Sequence, residues 1–391
     1  MKKRIFGLLA IVLLMVLAFT SCQEIADSIT TQDGTETYPF LVNSRETLGK
    51  VGSGDVVGNG KYPWTPESHY KQTMDINLNT GAIYHWTPLP EFKGVYDGNG
   101  KIINDLTTNT PISSTGCGLF ASINGGTVKN LGLTNVNIEG SGSTNGTGGL
   151  AGEAFGEAVI QNCYVKTLSG TGTIKANNSY AGGIVGSGNV VTIEKCYFDG
   201  KVNGKNYSGG IIGYARNTTT GKSTRIENCY SKGTVTSANN CAGGIAGQLG
   251  NNSAGEVNSI IRYCYSQSTV SGQTNSGGIA GTLGYAAGNI ARVINCVALN
   301  TSITISAIPL GRVVGANNSN GIVKCYASSD MTAVGGAFTD KTPNGSGGAD
   351  ISSTEFNSAA WWQDVSAVFF SADNWIFSDG YTPKLKNVGG Q

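Results

Sequence analysis

The residues of this 391-residue chain that could do chemistry are few, and most of them recur. Six cysteines, Cys163, Cys196, Cys229, Cys264, Cys296 and Cys325, stand at long and nearly even intervals. Zinc ligands usually come in tight pairs, and neither these thiols nor the two histidines, His69 and His85, provide one, so no metal site is assigned. Glu139, Glu153, Glu157, Glu194, Asp199, Glu227 and Glu256 are scattered, whereas glycoside hydrolysis needs two carboxylates facing each other across a cleft. Glu194 and Glu227 share one outward repeat position with Gln161 and Arg262, and edge charges that deter aggregation account for them. No catalytic residue is assigned. Asp97-Gly98-Asn99-Gly100 reads as a turn, and the glycine motifs lack the Lys and Ser/Thr of a phosphate loop. That leaves aromatic chemistry. Tyr164, Tyr197, Tyr230, Tyr265 and Tyr326 each follow one of the cysteines, and such a row would present flat apolar faces with polar tips, suited to sugar rings or to another protein. Mutual stacking that only stabilises the fold is the alternative reading of the same row.

The elements that must position these residues are repeats. A glycine motif recurs as Gly148-Gly149-Leu150-Ala151-Gly152, Gly182-Gly183-Ile184-Val185-Gly186, Gly209-Gly210-Ile211-Ile212-Gly213, Gly243-Gly244-Ile245-Ala246-Gly247 and Gly277-Gly278-Ile279-Ala280-Gly281, with a worn copy at Gly311-Arg312-Val313-Val314-Gly315. Between copies lie short β-type runs and no sustained 3.6-residue apolar period, which excludes helical and leucine-rich solenoids. A unit this short cannot bury its own apolar face, but stacked units can, so the pattern predicts an all-β solenoid. Three residues before each cysteine stand Ile160, Ile193, Ile226, Ile261, Val293 and Ile322, a column fit for the core. The position just before the cysteine, Asn162, Lys195, Asn228, Tyr263, Asn295 or Lys324, is expected in water. Alternation then turns the cysteines inward as a buried structural ladder and the tyrosines outward, with a bulge or bend between Ile and Cys. Neighbouring thiols in such a ladder could stay free or pair. The loops at Lys175 to Tyr180, Lys205 to Tyr207 and Ser237 to Asn240 fall at equivalent repeat positions and so on one side, a common arrangement for a recognition face.

The N-terminus has a different character. Met1-Lys2-Lys3-Arg4 precedes an apolar run from Ile5 to Phe19 and then Thr20-Ser21-Cys22, a charged, apolar and small-residue succession typical of export. Leu17-Ala18-Phe19-Thr20-Ser21-Cys22 resembles a lipobox, which implies that Cys22 is acylated and becomes the new N-terminus. Residues 1–21 are then a lipoprotein signal peptide and residues 22–37 a solvated acidic tether, with the outer membrane, on the cell surface, as the expected location. Removing Lys2, Lys3 and Arg4 from 26 basic against 25 acidic residues leaves 23 against 25, a formal charge of −2. No basic patch suggests nucleic acid.

Gly-Gly-Ile-Ala-Gly followed by Asn-Cys-Tyr resembles the GLUG-motif repeat of bacterial surface proteins. The lead-in segments Asp75-Ile76-Asn77-Leu78, Trp86-Thr87-Pro88-Leu89, Tyr96-Asp97-Gly98-Asn99-Gly100 and Lys129-Asn130-Leu131-Gly132-Leu133 share the likeness, as does the ending Tyr381-Thr382-Pro383-Lys384-Leu385. The resemblance implies a right-handed parallel β-helix and an adhesin-like, non-enzymatic role, presenting a face to glycan or protein ligands as a lipid-anchored monomer without cofactors. The alternatives are a β-helical lyase or glycosidase, or an envelope spacer. Residues 38–96 are expected as an N-terminal cap with the first coils, 97–340 as the repeats, and 341–391 as a C-terminal cap with a short helix starting near Ser353. Arg312 and Val297 depart from the pattern, so the coil between them is expected to be irregular.

Overall fold

In the computed structural model, the residues described are 32–79, 85–108, 116–142, 146–178, 180–219, 221–250, 257–284, 289–307 and 309–391. The expected signal peptide, Cys22 and most of the expected tether lie outside them. The chain is a parallel β-solenoid of about eight turns. Fifteen-, fourteen- and six-stranded parallel sheets run along its length, and a two-stranded antiparallel ribbon joins Trp375–Ile376 to Lys384–Leu385. One coil shows the plan. Ala181–Gly182 lies in the narrow six-stranded sheet, Val185–Glu194 in the fifteen-stranded sheet and Tyr197–Gly204 in the fourteen-stranded sheet.

Each corner has a physical cause. At the first, the motif glycines let successive backbones touch. A Cβ on Gly183 would lie 2.1 Å from the Gly210 carbonyl oxygen of the next coil, and one on Gly244 2.1 Å from that of Gly278. At the second, the residue ahead of each cysteine is left-handed, with φ between +50° and +55° at Asn162, Lys195, Asn228, Tyr263, Asn295 and Lys324. This single residue is the bend that takes the chain from the inward isoleucine to the inward cysteine. Ile160, Ile193, Ile226, Ile261, Val293 and Ile322 and all six cysteines belong to one continuous buried core.

At the N-terminal end Phe40–Val42 pairs in parallel with His69–Gln72, which pairs with Val95–Asp97. Phe40 stacks on Trp64 at 4.9 Å, and Tyr70, Phe92 and Phe120 continue this aromatic plug along the axis.

Two expectations need correction at the other end. The coil around Val297 to Gly315 is regular: Val297–Ala298, Ser302–Ile305, Leu310–Gly311 and Val314–Asn317 all pair in register with the coil before. Arg312 replaces glycine there because the stack is ending. Its buried guanidinium donates to the Gly347, Gly348 and Ser328 carbonyls and pairs with Asp350, closing the last turn. Second, residues 341–391 are not all an end cap. The last rung, Ala349–Ile351, pairs with Tyr326–Ser328. From Ser352 the chain turns back and runs along the side of the solenoid as a strap. Two short helices, Ser353–Phe356 with a Ser352/Glu355 capping box and Ala359–Gln363, begin that strap.

Candidate binding face

The cysteine ladder lies inside the coil and offers no surface. Cys163, Cys196, Cys229, Cys264, Cys296 and Cys325 are fully buried free thiols, as Cys117 and Cys241 are buried free thiols outside the ladder. Each ladder Sγ lies 3.1–3.4 Å from the carbonyl oxygen two residues before it, so the thiol proton is spent locally. Burial pushes the Cys163, Cys196, Cys264 and Cys325 thiols up, and that of Cys117 to about 12, whereas at Cys229 and Cys296 hydrogen bonds with the neighbouring ladder thiols outweigh burial and pull the thiol down. None of these sulfurs reaches solvent, so none is available as a nucleophile or a ligand at the surface.

The tyrosine row is where the structure departs most from expectation. Tyr164, Tyr197, Tyr230, Tyr265, Val297 and Tyr326 pair in register on successive coils. The rings of Tyr164, Tyr197, Tyr230 and Tyr265 stack 4.8–5.1 Å apart within 5° of parallel. They point out of the coil, yet Tyr197 and Tyr265 are only 1% exposed because the strap covers them. Trp362, Phe370, Trp375, Leu385 and Val388 form a second apolar core with the ladder. Trp361 packs edge-on against Tyr326 at 5.4 Å. Tyr265 donates to the Pro383 carbonyl at 2.7 Å, Tyr197 to that of Gly389 at 3.0 Å, and the Trp375 indole to Asn228 Oδ1 at 3.1 Å. A row proposed for ligands is thus the inner wall of an intramolecular interface. The pre-cysteine column is likewise not wholly in water: Asn228 is buried and Tyr263 packs against Phe370.

Four of the acids are engaged by neighbours, and Glu256 lies outside the described residues. Glu227 is held by Arg262 at 2.9 Å, Glu194 accepts from Gln161 at 3.4 Å, and Glu157 pairs with Lys222 at 2.8 Å. Glu139 takes Asn177 at 2.7 Å and Lys175 at 2.9 Å, and these bonds hold its carboxyl below the usual range. His69 sits in a strand of the first coils and His85 is half-buried nearby in sequence; among the described residues no three His, Cys, Asp or Glu side chains gather around a point.

A partly accessible aromatic cluster lies on the loop side. Tyr180 and Tyr207 stack at 5.5 Å, and both rings meet Tyr214 at 5.1 and 5.3 Å. Tyr180 and Tyr207 are half-buried and Tyr214 is buried beneath them. The Arg216 guanidinium lies 5.9 Å from the Tyr214 ring. Glu153 is nearby; partial burial raises its pKa and Arg216 opposes that rise. The loops carrying the two outer rings are tied together: Lys205 Nζ reaches Asn178 Oδ1 at 3.5 Å, Asn206 Nδ2 donates to the Asn178 carbonyl at 3.3 Å, and Asn240 Nδ2 to Asn206 Oδ1 at 3.3 Å. The sequence marks this side by its loops but not by its rings. The available signal was a column, since Tyr180 and Tyr207 both stand one residue ahead of a small-Gly-Gly corner.

These features define a class: a parallel β-solenoid whose interior is inert and whose lateral faces carry everything a partner could touch. The GLUG motif matches residues 204–236, one coil of the stack, and the same pattern of a glycine corner and a cysteine rung recurs in the neighbouring coils. Over 168 residues, 40% of the chain, it is 29% identical to Halomucin of Haloquadratum walsbyi; the match spans 2% of that relative's length. A crystal structure from Bacteroides ovatus, of a protein provisionally named an immunoglobulin A1 protease, is similar at a TM-score of 0.56 and 20% identity, over 90% of this chain and 94% of its own. A chain named IgA1 protease is similar at a TM-score of 0.52 and 17% identity, over 74% of this chain and 21% of its own. At these identities the likeness is one of fold.

Proposed function

We propose that this GLUG-repeat solenoid is a non-enzymatic surface lipoprotein, held at the outer membrane through Cys22, that contacts glycans on its loop side. The observation that carries the reading is the Tyr180–Tyr207–Tyr214 cluster on cross-linked loops. Half-exposed aromatic rings offer CH-rich sugar faces a flat apolar platform, and the adjacent Arg216 and Glu153 supply directional donors and acceptors for hydroxyls. Tying the loops together lowers the ordering cost of binding. A signal peptide and lipid at one end, an acidic tether and a rigid rod suit holding such a face away from a membrane.

The test is a glycan array with the mature chain and the double variant Tyr180→Ala/Tyr207→Ala. Both rings lie outside the solenoid core, so circular dichroism should be unchanged while affinity for array hits falls roughly tenfold, about 1.4 kcal/mol. Equal binding by the folded variant, or no binding by the unaltered protein, would overturn the assignment.

A further inference from the structure

The strap covers the tyrosines but leaves a cationic opening along its edge. On three consecutive coils Lys166, Asp199 and Lys232 occupy in-register positions two residues after the stacked tyrosines. From the opposite side the strap contributes Lys384 and Tyr381, and the five residues line one cavity of about 120 Å³. The backbones of Lys166 and Lys232 are therefore two coil rises, roughly 10 Å, apart. Three amines face one carboxylate. Lys166 is held at the rim by the Gly390 carbonyl, and Lys232 lies against the Tyr230 ring at 5.6 Å. Neither the Lys232 nor the Lys384 amine has a hydrogen bond or ion pair among the described residues, and the Asp199 carboxylate forms no salt bridge with any of the three amines.

A folded chain does not ordinarily gather uncompensated like charges in a partly dry cavity. Partial burial depresses the Lys232 pKa, the nearby Lys384 and Lys166 charges add to that depression, and Asp199 only partly offsets it. An arriving anion would relieve all of these terms at once. The opening is also continuous with a longer groove of about 340 Å³ that shares Lys166 and Asp199 and adds Lys201, Thr167, Ser169 and Thr234. Tyr381 is 68% exposed at the cavity wall, an aromatic plane beside the charge.

We propose that this opening binds an acidic saccharide, its carboxylate or sulfate seated among Lys166, Lys232 and Lys384 and its ring against Tyr381, with the chain of sugars continuing along the groove. The inference is independent of the loop-side site, because the two share no residue. It also differs from that site in chemistry, requiring a charged ligand where the loop side takes a sugar face and its hydroxyls.

Isothermal titration of the mature chain with sialyllactose, a sulfated disaccharide, neutral lactose and inorganic sulfate tests it. The acidic sugars should bind, lactose should not, and affinity should fall steeply with added salt because the contacts are charge-assisted. Lys232→Gln and Lys384→Gln should each weaken acidic-sugar binding about tenfold, and Tyr381→Ala should weaken the sugars but not inorganic sulfate. Lys384→Gln guards against misfolding, since the Lys384 side chain is exposed and makes no hydrogen bond or ion pair among the described residues. Tyr180→Ala/Tyr207→Ala should leave this binding intact, which separates failure here from failure of the loop-side reading. Equal affinity for lactose, unchanged affinity in Lys384→Gln, or inorganic sulfate binding as tightly as the sugars would overturn the proposal.

Discussion

The left-handed residue before each ladder cysteine shows how much one backbone conformation can decide. That conformation is accessible to asparagine through local hydrogen bonding and is unfavourable to other L-residues. Asn162, Asn228 and Asn295 fit the rule, whereas Lys195, Tyr263 and Lys324 do not. Asparagine also links coils, as Asn162 Nδ2 donates to Asn130 Oδ1 and Asn130 Nδ2 to Asp97 Oδ1, both at 3.0 Å. Lys195 makes no such bond and has no ion pair among the described residues. Lys195→Asn should therefore stabilise the protein by ~0.5–1 kcal/mol, through a conformation the new residue adopts more readily. Lys195→Val, branched at Cβ, should instead cost ~1–2 kcal/mol. Urea unfolding midpoints check both, and equal midpoints for the two variants would remove backbone strain from the account.

The strap is a single element made of residues that look unremarkable in sequence. Its anchor is Trp375, 1% exposed, 5.7 Å from Tyr265, 5.0 Å from Phe370 and bonded to Asn228. Trp375→Ala should cost ~3–5 kcal/mol of strap attachment, from lost burial and the cavity left behind. The strap should then detach while the coils persist, seen as protease cleavage between residues 352 and 391 with unchanged far-ultraviolet circular dichroism. Loss of the coil signal together with the strap would show instead that the ladder cannot stand uncovered. The contrast with the coils explains what the sequence could reveal. Ile193, Cys196 and Gly183 are legible because each has counterparts at the same place in neighbouring units, so a column identifies its environment. Trp362, Phe370 and Trp375 have no counterparts, and the surface they cover exists only after several coils have stacked. Tyrosine alternation correctly sent the rings out of the coil, but direction out of a coil is not exposure to water. The lysine opening was hidden for the same reason, since Lys384 reaches Lys232 only across the strap.

At the scale of the whole molecule, stacking concentrates ionisable hydroxyls and thiols in dry columns, and this makes the solenoid sensitive to alkali. In the native state burial raises the Cys117 thiol from 9.0 to about 12 and the Tyr70 hydroxyl from 10.0 to about 12, and it moves the Tyr96, Tyr197 and Tyr265 hydroxyls in the same direction. Once unfolded, these groups lose their protons near the ordinary values while the native state keeps them. The unfolded chain then binds fewer protons than the native one, so stability must fall as pH rises, starting near pH 9 and continuing to about 12. Each thiol or hydroxyl titrating only in the unfolded state adds ~1.4 kcal/mol per pH unit to the slope. With Cys117, Tyr70, Tyr96, Tyr197, Tyr230 and Tyr265 all raised, several such groups act together. The urea midpoint should be flat from pH 6 to 8 and drop steeply between about pH 9 and 10.5. Iodoacetamide at pH 8.5 should label none of the eight buried cysteines until the chain is unfolded, since none of their sulfurs is open to the reagent in the native state. A flat midpoint through pH 10.5, or stoichiometric labelling of the native protein, would mean that the columns are wet or open. The dry, stacked interior that fixes both faces of the rod would then be the wrong description.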